Sequence, residues 1–311
     1  MAKILITESV HPIGPELLTA AGHTVVYADR DMDVIRREIV DADAVLVRII
    51  ELPGSLLATA KNLKIVSKHG VGYDNIDLDY CKSHGIAVTI TPNANSLSVA
   101  EHAFTLMLTL AKNIIPVSNE YRTVGFAAKN HAPGIEMTGK TLGLIGMGRI
   151  GKHVLHMCKD GLDMHVIVYD PYISEVPEGV ERVDDLSELL RRADVVTLHC
   201  LLTDETRKLI DRERLALMKP TALLINCARG PIVDEAALIE ALENGRLAGA
   251  GLDVTDPEPV APDSLLFKLP NVIVTPHYAP TTVESATRVS KIAAENINAV
   301  LAGQEPVGRI V

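Results

Sequence analysis

Three ionisable side chains stand just past successive predicted strands in the second half of the chain: Arg229 after 222–226, Glu258 beyond 248–253 and His277 after 272–275. If those strands are parallel, all three lie at the carboxyl edge of one sheet, where open α/β sheets bind ligands. A guanidinium, a carboxylate and an imidazole on one edge, beside a hydride carrier, would supply what interconverting a 2-keto and a 2-hydroxy acid needs. The planar fork of Arg229 can clamp a substrate carboxylate and polarise the carbonyl. His277 can give or take the hydroxyl proton near neutral pH, and Glu258 can orient the ring and stabilise its protonated form. Spacing alone leaves plainer readings open: a helix cap or surface ion pair for Arg229, a Pro-flanked loop charge for Glu258, a satisfied loop histidine for His277.

The partner for such a set stands upstream. Gly146-Met147-Gly148-Arg149-Ile150-Gly151 follows the apolar run 142–145 and precedes a helix-compatible stretch, 152–159. This is the context that the dinucleotide fingerprint requires. Gly146 permits the tight turn, Gly148 lets backbone approach a pyrophosphate, and Gly151 allows close packing of helix on strand. Free N–H groups at the helix start would meet the phosphate charge. The next predicted strand ends at Asp170, 19 residues beyond Gly151, close to the offset of about 20 for an acidic group on the adenosine ribose. Asp170 would repel a 2′-phosphate, so NAD is favoured over NADP.

Positioning these groups requires alternating strands and helices. Strands are expected at 3–7, 24–28, 44–48, 64–67 and 86–90, with helices such as 15–21 and 33–40 between them. A turn-rich connector, 91–96, follows, and Ser98-Val99-Ala100-Glu101 reads as a capping box opening a helix to about Asn113. A second series occupies 141–145, 165–169, 195–199, 222–226, 248–253 and 272–275. Thr281-Thr282-Val283-Glu284 reads as another capping box, and Ala286, Val289, Ala293, Ile297, Val300 and Leu301 then follow helical spacing. The expectation is α/β: two doubly wound parallel-sheet domains with a cleft between them. Because termini tend to lie near one another, the last helix is assigned back to the first domain. This gives 1–96 plus 284–311 as one domain and 97–283 as the other.

Composition narrows the partners. The 311 residues carry 30 Lys and Arg against 40 Asp and Glu, a net charge of −10, which argues against a nucleic-acid backbone. No Trp and only 3 Phe and 7 Tyr disfavour a stacking platform for single strands. The longest apolar stretch, 99–117, is interrupted by Glu101, His102 and Lys112, so no membrane span is expected. The opening run 1–7 is too short for a signal peptide, and a cytoplasmic home is the default. Cys81, Cys158, Cys200 and Cys227 form no C-x-x-C pair, fitting reduced thiols and no metal site.

Thr141 to Gly151, Leu198-His199, Asn226-Cys227-Ala228-Arg229-Gly230-Pro231-Ile232-Val233-Asp234-Glu235, Gly251-Leu252-Asp253-Val254, Glu258-Pro259 and Thr275-Pro276-His277 resemble the motifs of the D-isomer-specific 2-hydroxyacid dehydrogenases. The segments His69 to Asp77 and Thr91 to Glu101 look like the phosphoglycerate dehydrogenase branch, with hydroxypyruvate reductases nearby. The resemblance implies a flavodoxin-like substrate domain and a Rossmann NAD domain. It implies Arg229 as substrate anchor, Glu258 as partner carboxylate and His277 as acid/base. Arg149 and Ile150 would meet the pyrophosphate and Asp170 the ribose, while His199, Thr203, Cys227, Ala228 and Asp253 would line the path from adenine to nicotinamide. Backbone N–H groups at Val71 and Gly72 would hold the substrate carboxylate as a small anion nest. Arg48, Lys68 and Asn95 are the remaining substrate candidates, the two cations matching basic positions near a substrate phosphate.

The resemblance further implies a homodimer centred on the long helix that opens at Ser98. With the chain ending at Val311, the feedback control appended to longer phosphoglycerate dehydrogenases is not expected. The chain departs from many relatives at Leu201, where they place proline, and at Tyr278-Ala279-Pro280 after His277. The expected substrates are 3-phosphoglycerate or glycerate and hydroxypyruvate. Formate dehydrogenases share the fold but carry Gln at the position of Glu258. The rival of another class is an NADH-sensing scaffold like the corepressors that resemble this family and keep the three side chains.

Overall fold

Short β-branched runs in the first ninety residues form the strands β1 (Lys3–Ile6), β2 (Thr24–Tyr27), β3 (Ala44–Val47), β4 (Ile65–Lys68) and β5 (Ala87–Thr89). They pair in parallel in the order β2-β1-β3-β4-β5, the flavodoxin-like arrangement. Every residue of β3 and β4 is buried, as strands covered on both faces must be. Leu5, Val45, Val47, Val66 and Val88 pack to one side with Ile35 and Ile39. Ile4, Ile6, Leu46 and Ile65 pack to the other with Leu18 and with Ala293, Ala294 and Ile297 of the helix Val283–Leu301. A Cβ on Gly14 would lie 2.4 Å from Ser290 Oγ, so glycine lets the helix Ile13–Ala20 cross this last helix closely.

The computed structural model describes residues 1–130 and 133–311. The chain divides into one unit of Met1–Asn95 with Pro280–Val311 and a second of Ser96–Ala279. The last helix is capped by Thr282, which accepts from the Ser285 N–H at 3.1 Å. The cap therefore sits one residue later than the box read at Thr281, because Ser285, not Glu284, occupies the third helical position.

In the second unit the strands are β6 (Thr141–Ile145), β7 (His165–Tyr169), β8 (Val180–Arg182), β9 (Val195–Leu198), β10 (Leu223–Asn226), β11 (Gly249–Leu252) and β12 (Val272–Val274). They form a parallel sheet in the order β12-β11-β10-β9-β6-β7-β8. The direction of winding reverses between β9 and β6, the switch point at which doubly wound sheets hold nucleotides. The edge strand β8 was not legible in the sequence: Val-Glu-Arg carries no apolar period, and pairing with β7 alone makes it a strand.

The helix Ser96–Ala111 turns Val99, Ala100, Ala103, Leu106 and Met107 onto Leu142, Leu144, Leu223 and Ile225. A Cβ on Gly251 would come within 3.0 Å of Leu106 Cβ, so the small residues of β11 let this helix approach. This helix does not open at the capping box expected at Ser98. The helix starts two residues earlier and buries Ser98 inside its first turn. Its expected end near Asn113 is a break, with Asn113 left-handed at φ 51° and a further helix, Ile114–Val124, beyond. Asn tolerates that conformation better than most side chains. Among the described residues, no helix is long and apolar enough to cross a membrane.

Candidate active site

The strand order lines up the carboxyl-end loops of the second unit in a row. Reading along it, Asp170 follows β7, Gly146 to Gly151 follow β6, His199 follows β9, Cys227 to Arg229 follow β10, Asp253 and Glu258 follow β11, and His277 follows β12. Five inter-strand spacings of about 4.8 Å separate the first from the last, about 24 Å along the sheet edge. Residues as far apart in sequence as Gly146 and His277 share this edge only because parallel strands end on the same side.

The glycine loop is built as its three roles demand. Gly146 has φ +90°, and a Cβ there would lie 2.8 Å from the Cys200 nitrogen. Gly151 would drive a Cβ to 2.2 Å from Gly146 O, whereas nothing lies within 4 Å of a Cβ on Gly148. The middle glycine thus faces open space, a cradle that a side chain would fill and a pyrophosphate can enter. No side chain caps the helix Arg149–Leu162, whose N-cap is Gly148, so its first N–H groups are offered to an anion. Asp170 Oδ2 accepts the Met147 N–H at 2.9 Å and Oδ1 the Tyr172 N–H at 3.0 Å, which fixes the carboxylate against the loop.

His199 pairs Nε2 with Thr197 Oγ1 at 2.8 Å, while its buried Nδ1 has no partner among the described residues. Burial pushes its pKa down to about 3, so the ring is neutral. Thr203 is exposed and tied to Thr206, its N–H donating to Oγ1 at 2.7 Å. Burial pushes the Cys200 thiol up to about 11 and raises Cys227 as well, so neither is a nucleophile at neutral pH.

At the other end of the row, His277 Nδ1 lies 2.7 Å from Glu258 Oε1. The carboxylate fixes the tautomer with the proton on Nδ1, leaving Nε2 for exchange with a substrate. Arg229 sits in extended backbone at the head of a turn, Gly230–Ile232, with Nη1 donating to Ala228 O at 2.8 Å. Asn226 Nδ2 donates to Arg229 O at 2.9 Å and its Oδ1 accepts the Ala228 N–H at 3.0 Å. Gly230 explains its own position, because a Cβ there would fall 1.9 Å from Thr255 O. The Arg229 turn and the loop leading to Glu258 are pressed backbone to backbone.

Among the first unit's candidates, Lys68 is buried and not a solvated strand-end charge: its ammonium donates to Arg48 O and, at 2.5 Å, to Asn75 Oδ1. Arg48 Nη1 donates to Ser9 O at 2.9 Å. The N–H groups of Val71 and Gly72 donate to no described residue, next to Gly70 at φ +138°. Asn95 is buried with its Oδ1 unpartnered among the described residues.

Several supporting residues escaped the sequence reading. Glu8, 2% exposed, accepts the N–H groups of Arg48, Ile49 and Ile50 at 2.7–3.0 Å, and Asn75 Nδ2 donates to Ile50 O at 2.7 Å. Together with Lys68 they hold the turn that carries Arg48. Asp253, expected beside the cofactor path, is 1% exposed and spends its carboxylate on the N–H groups of Tyr278 and Ala279 at 2.7 and 2.9 Å. Polar residues closing an apolar strand, as Asn226 and Asp253 do, were the one available signal.

Residues 104–279 match the model of the D-isomer specific 2-hydroxyacid dehydrogenase, NAD binding domain. The chain is 43% identical over 308 residues to a D-3-phosphoglycerate dehydrogenase of Methanocaldococcus jannaschii, covering 98% of this chain and 58% of that protein. It is 38% identical over 319 residues to a glyoxylate reductase of Thermofilum pendens, covering 98% and 93%. The chain thus spans little more than half the length of the phosphoglycerate dehydrogenases it matches. Among solved structures, a D-lactate dehydrogenase from Aquifex aeolicus complexed with NAD and lactic acid superposes with a TM-score of 0.88 at 34% identity over 96% of both chains. With the glycine loop, the sheet order and these relatives in agreement, the chain belongs to the D-isomer-specific 2-hydroxyacid dehydrogenase family.

Proposed function

We propose that the chain is an NAD-dependent oxidoreductase interconverting a small D-2-hydroxy acid and its 2-keto acid, with 3-phosphoglycerate or glycerate and hydroxypyruvate as the leading substrates. The observation that carries this is the His277–Glu258 pair at 2.7 Å on the same sheet edge as Arg229 and the open glycine cradle. Gly146, Gly148, Arg149, Ile150 and Gly151 would hold the pyrophosphate and Asp170 the ribose, with His199, Thr203, Cys227, Ala228 and Asp253 along the path. The residues present fit a dinucleotide: Gly148 opens on free space, and Asp170 puts a carboxylate where a 2′-phosphate would be repelled. When NAD(H) is bound, its nicotinamide supplies or accepts the hydride.

In the reducing direction, Arg229 binds the keto-acid carboxylate and polarises the ketone, and His277 delivers its Nε2 proton to the forming alkoxide. Glu258 stabilises the imidazolium before that transfer and keeps the ring aimed. In the first unit, the N–H groups of Val71 and Gly72 receive the substrate carboxylate, with Asn95 as a further substrate contact. Arg48 meets an anionic tail, and Lys68 acts by fixing the Arg48 turn. The two units therefore serve as substrate domain and NAD domain. A homodimer is supported by the helix Ile114–Val124, none of whose residues is buried, with Ile114, Ile115, Tyr121, Val124 and the nearby Phe126 exposed. We place the enzyme in the cytoplasm.

The test is the initial rate of NADH oxidation with hydroxypyruvate and 3-phosphohydroxypyruvate in parallel. A higher kcat/KM with the phosphorylated acid assigns Arg48 to a phosphate; a preference for hydroxypyruvate removes it from that role. Tight NADH binding with no turnover of any 2-keto acid overturns the enzymatic reading and leaves a sensor.

A further inference from the structure

His277 is held in a left-handed backbone conformation, φ +51°, which a histidine keeps only when its surroundings impose it. The imposing group is Asp253. Its backbone oxygen accepts the His277 N–H at 2.8 Å, and its carboxylate accepts the N–H groups of the next two residues, Tyr278 and Ala279. Thr275 Oγ1 donates to the same carboxylate at 2.5 Å. A buried carboxylate is tolerable only when its oxygens are satisfied, and the hydrogen-bond chain runs on through Thr275 to a residue elsewhere in the unit. His102, on the helix Ser96–Ala111, lies with Nε2 3.0 Å from Thr275 Oγ1 and 3.5 Å from Asp253 Oδ1. The single Thr275 hydroxyl proton is committed to Asp253, so its oxygen can only accept, and His102 Nε2 must carry a hydrogen. The same ring stands edge-on to Tyr278, centroids 6.3 Å apart at 62°.

We propose that His102 is a positioning residue for His277, acting through Thr275 and Asp253 to tie the 277–279 loop to the packed helix Ser96–Ala111. The helix is a firm anchor, because Val99, Ala103 and Leu106 on either side of His102 are core residues. His102 touches neither reacting group, so it sets the aim of the imidazole and not the chemistry itself. This rests on the proposed acid/base role of His277, and the experiment separates the two.

His102→Leu removes the donor while keeping bulk, and His102→Gln keeps an amide N–H. In the Leu variant kcat is expected to fall on the order of tenfold, with the NADH Kd by fluorescence unchanged and the keto-acid KM moved less than kcat. The Gln variant recovers most of the rate. In a His277→Ala background, His102→Leu costs nothing further, since a residue that works through His277 has nothing left to aim. An unchanged kcat in the Leu variant, or losses that add fully to that of His277→Ala, overturns the proposal. Independently of turnover, the His277 ring signal in an NMR spectrum, assigned by its loss in His277→Ala, should move in the Leu variant and return in the Gln variant. A moved signal in a protein that reduces no keto acid defeats the proposed activity and keeps the positioning role; an unmoved signal defeats the positioning role.

Discussion

Gly230→Ala should disable catalysis while sparing the cofactor. The new Cβ would sit 1.9 Å from Thr255 O and 2.2 Å from Thr255 C, whereas ordinary contact begins near 3.4 Å. Neither atom is the free end of a side chain, so backbone must give by about 1.5 Å, separating the Arg229 turn from the loop that carries Glu258. Misplacing a reacting group by about 1 Å costs on the order of 10²-fold in rate, so kcat should fall by about that factor or more. The glycine loop and Asp170 lie beside β6 and β7, two and three strands from the β10 that carries the Arg229 turn, and the NADH Kd should change little. Steady-state turnover, NADH fluorescence titration and a thermal melt to confirm folding make the assay. Gly148→Ala is the converse control: with nothing within 4 Å of its Cβ, it should fold normally and lose NADH affinity. A folded Gly230→Ala enzyme with kcat within about 3-fold of wild type would refute the claim that this contact sets the catalytic geometry.

Four further outcomes are expected. His277→Ala should lower kcat by about 10²–10⁴-fold, the usual worth of a positioned acid/base group, with NADH binding retained; undiminished turnover would remove the assignment. Asp170→Ala should weaken NADH and raise relative activity with NADPH, and an unchanged cofactor ratio would count against its ribose role. Replacing Tyr121 and Phe126 by Glu should turn a sedimenting dimer into monomer; a wild-type monomer at micromolar concentration would end the dimer reading. Burial pushes both His69 and His199 down to about 3, so the unfolded chain binds protons that the native one does not. Stability should therefore be complete above about pH 6.5 and fall as pH drops toward 3, by about 2 kcal/mol per histidine between pH 7 and 5. Urea unfolding at the two pH values measures it, and His199→Gln should flatten the slope.

What the chain makes legible by itself are short-range facts. Glycines spaced by two and three after an apolar run, an acid 19 residues on, and charged residues just past β-branched runs all obey rules that act within one βα unit. They pointed to the glycine loop, Asp170, Arg229, Glu258 and His277 because strand, turn and helix start are local. Helix boundaries were less legible: Ser98 and Thr281 both had a capping signature, yet burial of Ser98 and the hydrogen bond from Ser285 decided otherwise.

Only the tertiary structure decided which strand lies beside which, and hence that the row runs from Asp170 to His277. It alone paired His102 with a strand end 173 residues away and set Glu8 under a turn 40 residues later. No periodicity carries such information, because a buried carboxylate takes its donors from whatever backbone and side chains the sheet order brings within hydrogen-bond reach.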